Sequence, residues 1–393
     1  IAASEASSEG LRATFSPMID VSRDPRWGRI MESFGEDPYV NGIMGKAMVD
    51  GYQQKSDTKI AACLKHFAGY GAVNAGREYN DVEISQRTFL EQYVKPFRMA
   101  LKAKPAMVMT AFNAIDRKPI SGNKELLKGL LRDKEGFEGT VISDWGSIGQ
   151  LEEQGVAEDM EEAAIQASEA GVDIDMMSPA YMLCLEKLVE SGKIPEAFVD
   201  ESAFRVLMMK NQLGLFENPF AGLGKSGKLT LHNREKAYQL AGESCVLLKN
   251  ENKTLPLSAQ EATGVLFAGP YVDTRALCGA WSFPATYDNI KTVQECIQEH
   301  IGNACHFMKG CSMFYDKEVI RDYVEEGMTP DEAEASIEQT VQAAKSASKV
   351  VLFLGESFRQ TGEGASRTCI TLPEIQMELL KRVSAVNNNV IVV

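Results

Sequence analysis

The sequence predicts an α/β protein with two parallel-sheet units in tandem, and three observations predict it. Short apolar runs alternate with longer helical patterns from residue 13 to about 213. The alternation stops at a stretch rich in glycine that also holds Pro219, then resumes and runs to the end. Finally, 393 residues exceed one ordinary core, although a closed barrel of roughly 200 to 250 residues fits as the first unit.

Strands are expected at 14–19, 60–67, 106–112, 139–145 and 172–176, each an apolar run of strand length. Between them, residues 123–134 read as a helix. Asn123 caps it, Leu126, Leu127, Leu130 and Leu131 form one face, and Gly136 ends it. A second helix, 157–170, places Met160, Ala163, Ala164 and Ala167 on one side before Gly171, small residues that allow close approach to a strand layer. Residues 1–213 are therefore the first unit and 214–230 a linker. Residues 231–393 are a layered α/β unit, with helices near 235–245, 292–301, 331–346 and 374–385 and strands at 265–268, 350–354 and the C-terminal end.

Composition excludes whole classes of function. No run of about 18 apolar residues occurs, which argues against a membrane span. A net charge of −14 would repel a phosphate backbone, and no basic stripe interleaved with aromatics offsets it. Residues 1–5 begin inside a helical pattern and the chain stops within an apolar strand, so further sequence is expected at both ends and no targeting segment is legible. Cys63, Cys184, Cys245 and Cys369 read as isolated thiols. Cys278, Cys296, Cys305 and Cys311 lie closer together without zinc-site spacing, and a disulfide among them stays open.

Polar residues collect where the expected strands end: Asp20, then Lys65 and His66, then Thr110 and Asn113, then Ser143, Asp144 and Trp145. In parallel α/β folds that edge carries the chemistry, so these residues converge if the strands share one sheet. Asp144 alone reads more readily as a capping or turn aspartate than as a site residue. An adjacent Trp face suited to a sugar ring and a cationic Lys-His pair able to hold vicinal hydroxyls favour a site. The stretch Ser22-Arg23-Asp24-Pro25-Arg26-Trp27-Gly28-Arg29-Ile30-Met31-Glu32 is too dense in opposed charges for a plain connection. It suggests a loop tied by ion pairs.

Together with Lys65-His66-Phe67, Ile142-Ser143-Asp144-Trp145 and Gly171-Val172-Asp173-Ile174-Asp175-Met176, that stretch resembles the motifs of glycoside hydrolase family 3 in order and spacing. The likeness continues through Ser244-Cys245-Val246-Leu247-Leu248-Lys249-Asn250, Leu255-Pro256-Leu257 and the loop from Gly355 to Thr368. Gly76-Arg77-Glu78-Tyr79-Asn80 and Ala111-Phe112-Asn113 are similar to the bacterial periplasmic β-glucosidase group.

The resemblance implies a (β/α)8-type barrel, lacking its first strand here, followed by an α/β sandwich domain truncated at its C-terminus. It implies a retaining, exo-acting β-glycosidase of β-glucosidase type, with β-xylosidase or another family specificity as the alternative. Asp144 matches the nucleophile. Glu363 matches the acid/base, with Glu356 as its competitor. Arg29, Lys65, His66, Arg77, Met109, Phe112 and Trp145 match residues that bind the sugar or line its pocket. The family also uses an aspartate near the end of the missing first strand, so these residues alone should bind sugar poorly. Retention would set the two carboxyl groups about 5 to 5.5 Å apart.

No metal or organic cofactor is expected. The expected partner is a small oligosaccharide or aryl glycoside, without nucleic acid or membrane insertion and with room for a homodimer. The expected location is the periplasm or outside the cell. Residues 69–76 contain neither His nor Asp, which disfavours the N-acetylglucosaminidase branch. Two readings from other classes compete: a sugar-binding protein without turnover, and a Schiff-base aldolase using Lys65. Trp281 reads either as a platform for a second sugar or as a core residue.

Overall fold

A computed structural model of the chain describes residues 1–54, 56–224, 231–279, 281–282, 290–302, 305–313, 328–357 and 360–393. Residues 225–230 of the expected linker lie outside the described residues. The chain forms two compact units, a barrel unit of Ile1–Glu243 with Gly364–Arg367 and a sandwich unit of Ser244–Glu363 with Thr368–Val393. The helix expected to open the second unit runs Leu231–Ser244, and nearly all of it is counted with the first. Asn233 Nδ2 ties it to Glu5 Oε1 at 2.7 Å.

The first unit is a TIM-like barrel fold. Ala13–Thr14, Ala61–Phe67, Met107–Thr110 and Thr140–Ile142 form one parallel sheet in chain order. A parallel bridge between Ile142 and Ile174 extends it to the fifth expected strand. Side chains alternate across the sheet, so its two faces feed two different cores. Leu64, Val108 and Val141 enter the large cluster shared with the helices, while Cys63, Met107, Met109 and Ile142 enter a smaller one. Both faces are apolar because the sheet is covered on both sides.

The helices follow from local signals. Glu125–Lys134 buries Leu127, Leu130 and Leu131 and winds as a π-helix, and Asn123 Oδ1 accepts from the Leu126 amide at 3.2 Å. The helix expected from 157 begins at Met160, because Asp159 Oδ1 accepts from the Glu162 amide at 2.9 Å and claims the cap. Behind the fourth strand, buried Asp173 accepts from Arg132 Nη2 at 2.8 Å, Arg205 Nη1 at 2.9 Å and the Val141 amide at 2.8 Å. This latch holds the strand that leads into Asp144.

The second unit is an α/β sandwich. Its parallel sheet has the order Val390–Val392, Lys349–Leu352, Val265–Ala268, His306–Met308. The edge strand His306–Met308 is not legible in the sequence, since it is three residues long and partly exposed. Val293–Ile301 and Pro330–Ser346 open with capping boxes, Thr292 with Glu295 and Thr329 with Glu332. Ile337, Val341, Leu379 and Val383 seal one face of the sheet. No disulfide joins any of the eight cysteines, the four clustered ones included.

Candidate active site

The site is built at the C-terminal ends of the barrel strands. Strand register brings Asp20 beside His66, because the Ile19 amide donates to the Lys65 carbonyl at 2.8 Å. Asp20 Oδ2 then accepts from the His66 amide at 3.0 Å and meets His66 Nδ1 at 2.8 Å. Nδ1 is thereby the protonated nitrogen, and Nε2 faces Arg29 Nη2 at 3.2 Å as an acceptor. Arg29, fully buried in the turn Gly28–Glu32, is oriented by Glu32 through Nε at 2.9 Å and Nη2 at 3.0 Å.

Burial governs the protonation of this pair. Asp20 is pushed up to about 7 by desolvation, against the opposing pull of the His66 amide and Arg29. His66 is held well below its ordinary range by desolvation, then by the charges of Arg29 and Lys65. His66 is therefore neutral at neutral pH. Its Nε2 approaches Asp144 Oδ2 at 3.4 Å, a contact between a neutral ring and a carboxyl oxygen rather than an ion pair.

Asp144 is buried, at 6% exposure, with Oδ1 accepting from the Trp145 amide at 2.7 Å. That bond turns Oδ2 toward His66. Under it runs a chain of hydroxyls: the Asp144 amide donates to Thr110 Oγ1 at 3.4 Å, which pairs with Ser121 Oγ at 2.8 Å, which pairs with Ser147 Oγ at 2.8 Å. Trp145 is 61% exposed, so an aromatic face stands next to a recessed carboxylate. A recessed carboxyl group beside a neutral imidazole that itself faces a guanidinium, with an exposed indole on the next residue, suits a polyhydroxylated ligand.

The expected residues divide into groups. Arg29, His66 and Asp144 come together. Lys65, half-buried on the same strand end, acts on His66 and Asp20 through its charge. Phe112 is buried beside Tyr70 and Tyr79, at ring distances of 5.9 and 4.9 Å. Met109 lies in the smaller core with Ile142. Arg77 is exposed and reaches the Asn74 carbonyl of its own loop at 3.4 Å.

Glu363 and Glu356 belong to the second unit and are half-buried there. Trp281, at 59% exposure, is not a core residue, which removes one of its two readings. The Arg29–Glu32 pair is one of the ion pairs expected within the stretch 22–32, whereas sequence reasoning missed the role of Glu78, which depends on contacts rather than on neighbours in sequence. No group of three or more His, Cys, Asp or Glu suited to a metal occurs among the described residues. Nor is any described helix long and apolar enough to cross a membrane.

Comparison with known proteins identifies the family. Residues 1–209 match the glycosyl hydrolase family 3 N terminal domain, and residues 245–393 match the family's C-terminal domain. A periplasmic beta-glucosidase of Salmonella typhimurium is 38% identical over 100% of this chain and 53% of its own length. A putative beta-xylosidase of Formosa agariphila is 35% identical over 99% of this chain and 51% of its own. The crystal structure of a Listeria innocua beta-glucosidase in complex with isofagomine superposes with a TM-score of 0.88 at 37% identity, covering 99% of this chain and 53% of that one. The chain spans about half the length of these relatives. Two family models, covering the barrel and the sandwich in turn, make the conclusion plain: the chain belongs to glycosyl hydrolase family 3.

Proposed function

We propose that the protein is a retaining, exo-acting β-glycosidase, of β-glucosidase type, which releases the non-reducing-end sugar of small β-linked oligosaccharides or aryl glycosides. The observation that carries the reading is the buried Asp144 carboxylate, with His66 at 3.4 Å and His66 in turn on Arg29 at 3.2 Å. Cleavage passes through an oxocarbenium-like transition state, which needs an anion beneath the anomeric carbon and a proton at the leaving oxygen. In this reading Asp144 attacks and forms a glycosyl ester. Glu363 first donates the proton and then activates water, with Glu356 as the alternative donor.

Arg29, Lys65 and His66 hold the sugar hydroxyls. Neutral His66, locked as the Nδ1–H tautomer, offers Nε2 as an acceptor beside the Arg29 donors. Trp145 supplies a stacking face at the rim, and Arg77, Met109 and Phe112 are assigned to the wider pocket by the family resemblance. A periplasmic or secreted location is supported by the name of the Salmonella relative.

A β-xylosidase is the second reading, favoured by the Formosa relatives so named. The two sugars differ by one hydroxymethyl group, and rates on a panel of nitrophenyl glycosides with the complete protein decide between them. The β-glucoside should be fastest. A xyloside turned over faster moves the assignment to the second reading, and no turnover of any glycoside overturns both.

A further inference from the structure

Outside the cluster around Asp144, one carboxylate is gripped from three sides. Glu78 sits half-buried in the loop after the strand Ala61–Phe67. Its Oε1 accepts from the Trp27 indole, and its Oε2 accepts from the Tyr70 hydroxyl at 3.0 Å and from the Gly364 amide at 3.0 Å. Three donors converge on its two oxygens, an arrangement that favours the ionised, acceptor-only form. Burial raises its pKa, and the Gly364, Trp27 and Tyr70 bonds and the Arg29 charge oppose that rise. A carboxylate so committed serves as an anchor.

What it anchors is the short segment Gly364–Arg367, which is counted with the barrel although it lies 286 residues beyond Glu78. Four further bonds hold that segment. The Glu78 amide donates to Ser366 Oγ at 3.0 Å, and Ser366 Oγ donates to the Gly76 carbonyl at 2.9 Å. The Gly28 amide donates to the Ala365 carbonyl at 2.9 Å, and the Arg367 amide to the Arg26 carbonyl at 2.8 Å. Gly76 makes the fit possible: its φ is +65°, and a Cβ there would stand 2.6 Å from the Trp27 nitrogen. The segment therefore lies against residues 26–28, immediately before the turn that delivers Arg29.

We propose that Glu78 is a positioning residue for the proton donor: by fixing Gly364–Arg367 on the barrel it fixes Glu363, the residue one peptide bond upstream. The proposal rests on the reading of Glu363 as acid/base. Glu78 acts through the backbone of another segment and is not itself a catalytic residue. Its loss should impair proton donation and water activation while sparing attack by Asp144.

The test compares Glu78→Gln, Ser366→Ala and Glu363→Ala in the complete protein, using an alkyl and a 2,4-dinitrophenyl β-glycoside of the preferred sugar. Glutamine keeps the size of Glu78 but turns an NH2 toward one of the three donors. Glu78→Gln should lose roughly 10- to 100-fold in kcat/KM on the alkyl glycoside, which needs protonation of its leaving group, and less than about threefold in kcat/KM on the activated one. Added azide should speed its turnover of the activated substrate and release β-glycosyl azide, a signature that general loss of folded protein does not produce.

Ser366→Ala should show the same pattern more weakly, and it decides the matter if Glu78→Gln does not fold. Equal losses on both substrates, or unchanged kinetics in both tether variants, overturn the proposal. If Glu363→Ala itself lacks the leaving-group pattern, the acid/base reading falls and the tether with it. If only Glu363→Ala shows the pattern, the tether alone falls.

Discussion

The two units share a plan, four parallel strands bordered by helices, yet they bury different things. The barrel buries Asp20, Arg29, His66, Asp144 and Asp173 at or beside its strand ends. Among the described residues of the sandwich, the buried polar side chains are Thr292, Ser312, Thr340, Ser357 and Gln376, none of them charged. A buried charge must be repaid by partners, so a unit that keeps several is organised around them. The sandwich is stabilised by its apolar faces and helix caps, whereas the barrel also holds buried ionisable groups that need one another as partners.

That contrast can be attacked where the effect is largest. Asp144→Ala in the complete protein should cost several orders of magnitude in turnover, with partial recovery in azide and release of the α-glycosyl azide. Near-normal activity of that variant, measured on a nitrophenyl glycoside, would remove the nucleophile from the barrel altogether.

Next comes the latch behind it. Asp173→Asn leaves Arg132 and Arg205, with side chains only 10% and 18% exposed, facing an amide instead of a carboxylate. Breaking such a pair costs about 3 kcal/mol, less than the full penalty because Arg205 is partly wetted. A thermal melt of the barrel that does not move would show that the charges there are tolerated rather than organising.

A subtler effect concerns Asp20 and His66. Between the ordinary range of Asp near 3.8 and that of His near 6.5, the folded pair holds one proton, because Asp20 titrates near 7 and His66 well below its usual value. The unfolded pair, ionised Asp with protonated His, also holds one. The two stability slopes therefore cancel over this window. Asp20→Asn removes the raised acid and leaves only the depressed histidine, whose neutral form is favoured in the fold. Stability should then be intact above pH about 6.5 and fall by about 1.4 kcal/mol per unit as pH drops below it. Urea midpoints that stay flat between pH 7.5 and 5.5 in this variant would show that His66 is not held neutral.

The smallest effect belongs to the sandwich. Thr292→Ala removes the acceptor that meets the Glu295 amide at 3.1 Å and should cost about 1 kcal/mol in the second unit's unfolding, with activity little changed.

Much of the fold is legible because the information is local. The run Val265 to Ala268 and the capped helices Val293–Ile301 and Pro330–Ser346 each carry their signal within a few residues. The helix Pro38–Tyr52 escaped the apolar-pattern reading despite Asp37 and Pro38 at its start, because glycines interrupt the pattern. At Gly45 a Cβ would stand 2.6 Å from Ile19 Cγ2, so close packing takes the place of an apolar side chain. The motif residues of the site announced themselves through unusual chemistry at strand ends. Their distant partners did not: Glu32, three residues from Arg29, falls in the stretch expected to hold ion pairs, but Glu78 reaches Gly364 across most of the chain. Pairing of that kind depends on the folded path, which no window of sequence contains.

Because the chain leaves the barrel after Glu243, returns for Gly364–Arg367 and leaves again, neither unit is a contiguous stretch of the gene. A single nick between the units cannot release one from the other, and swapping either as a cassette would strip the barrel of four residues or burden the graft with them.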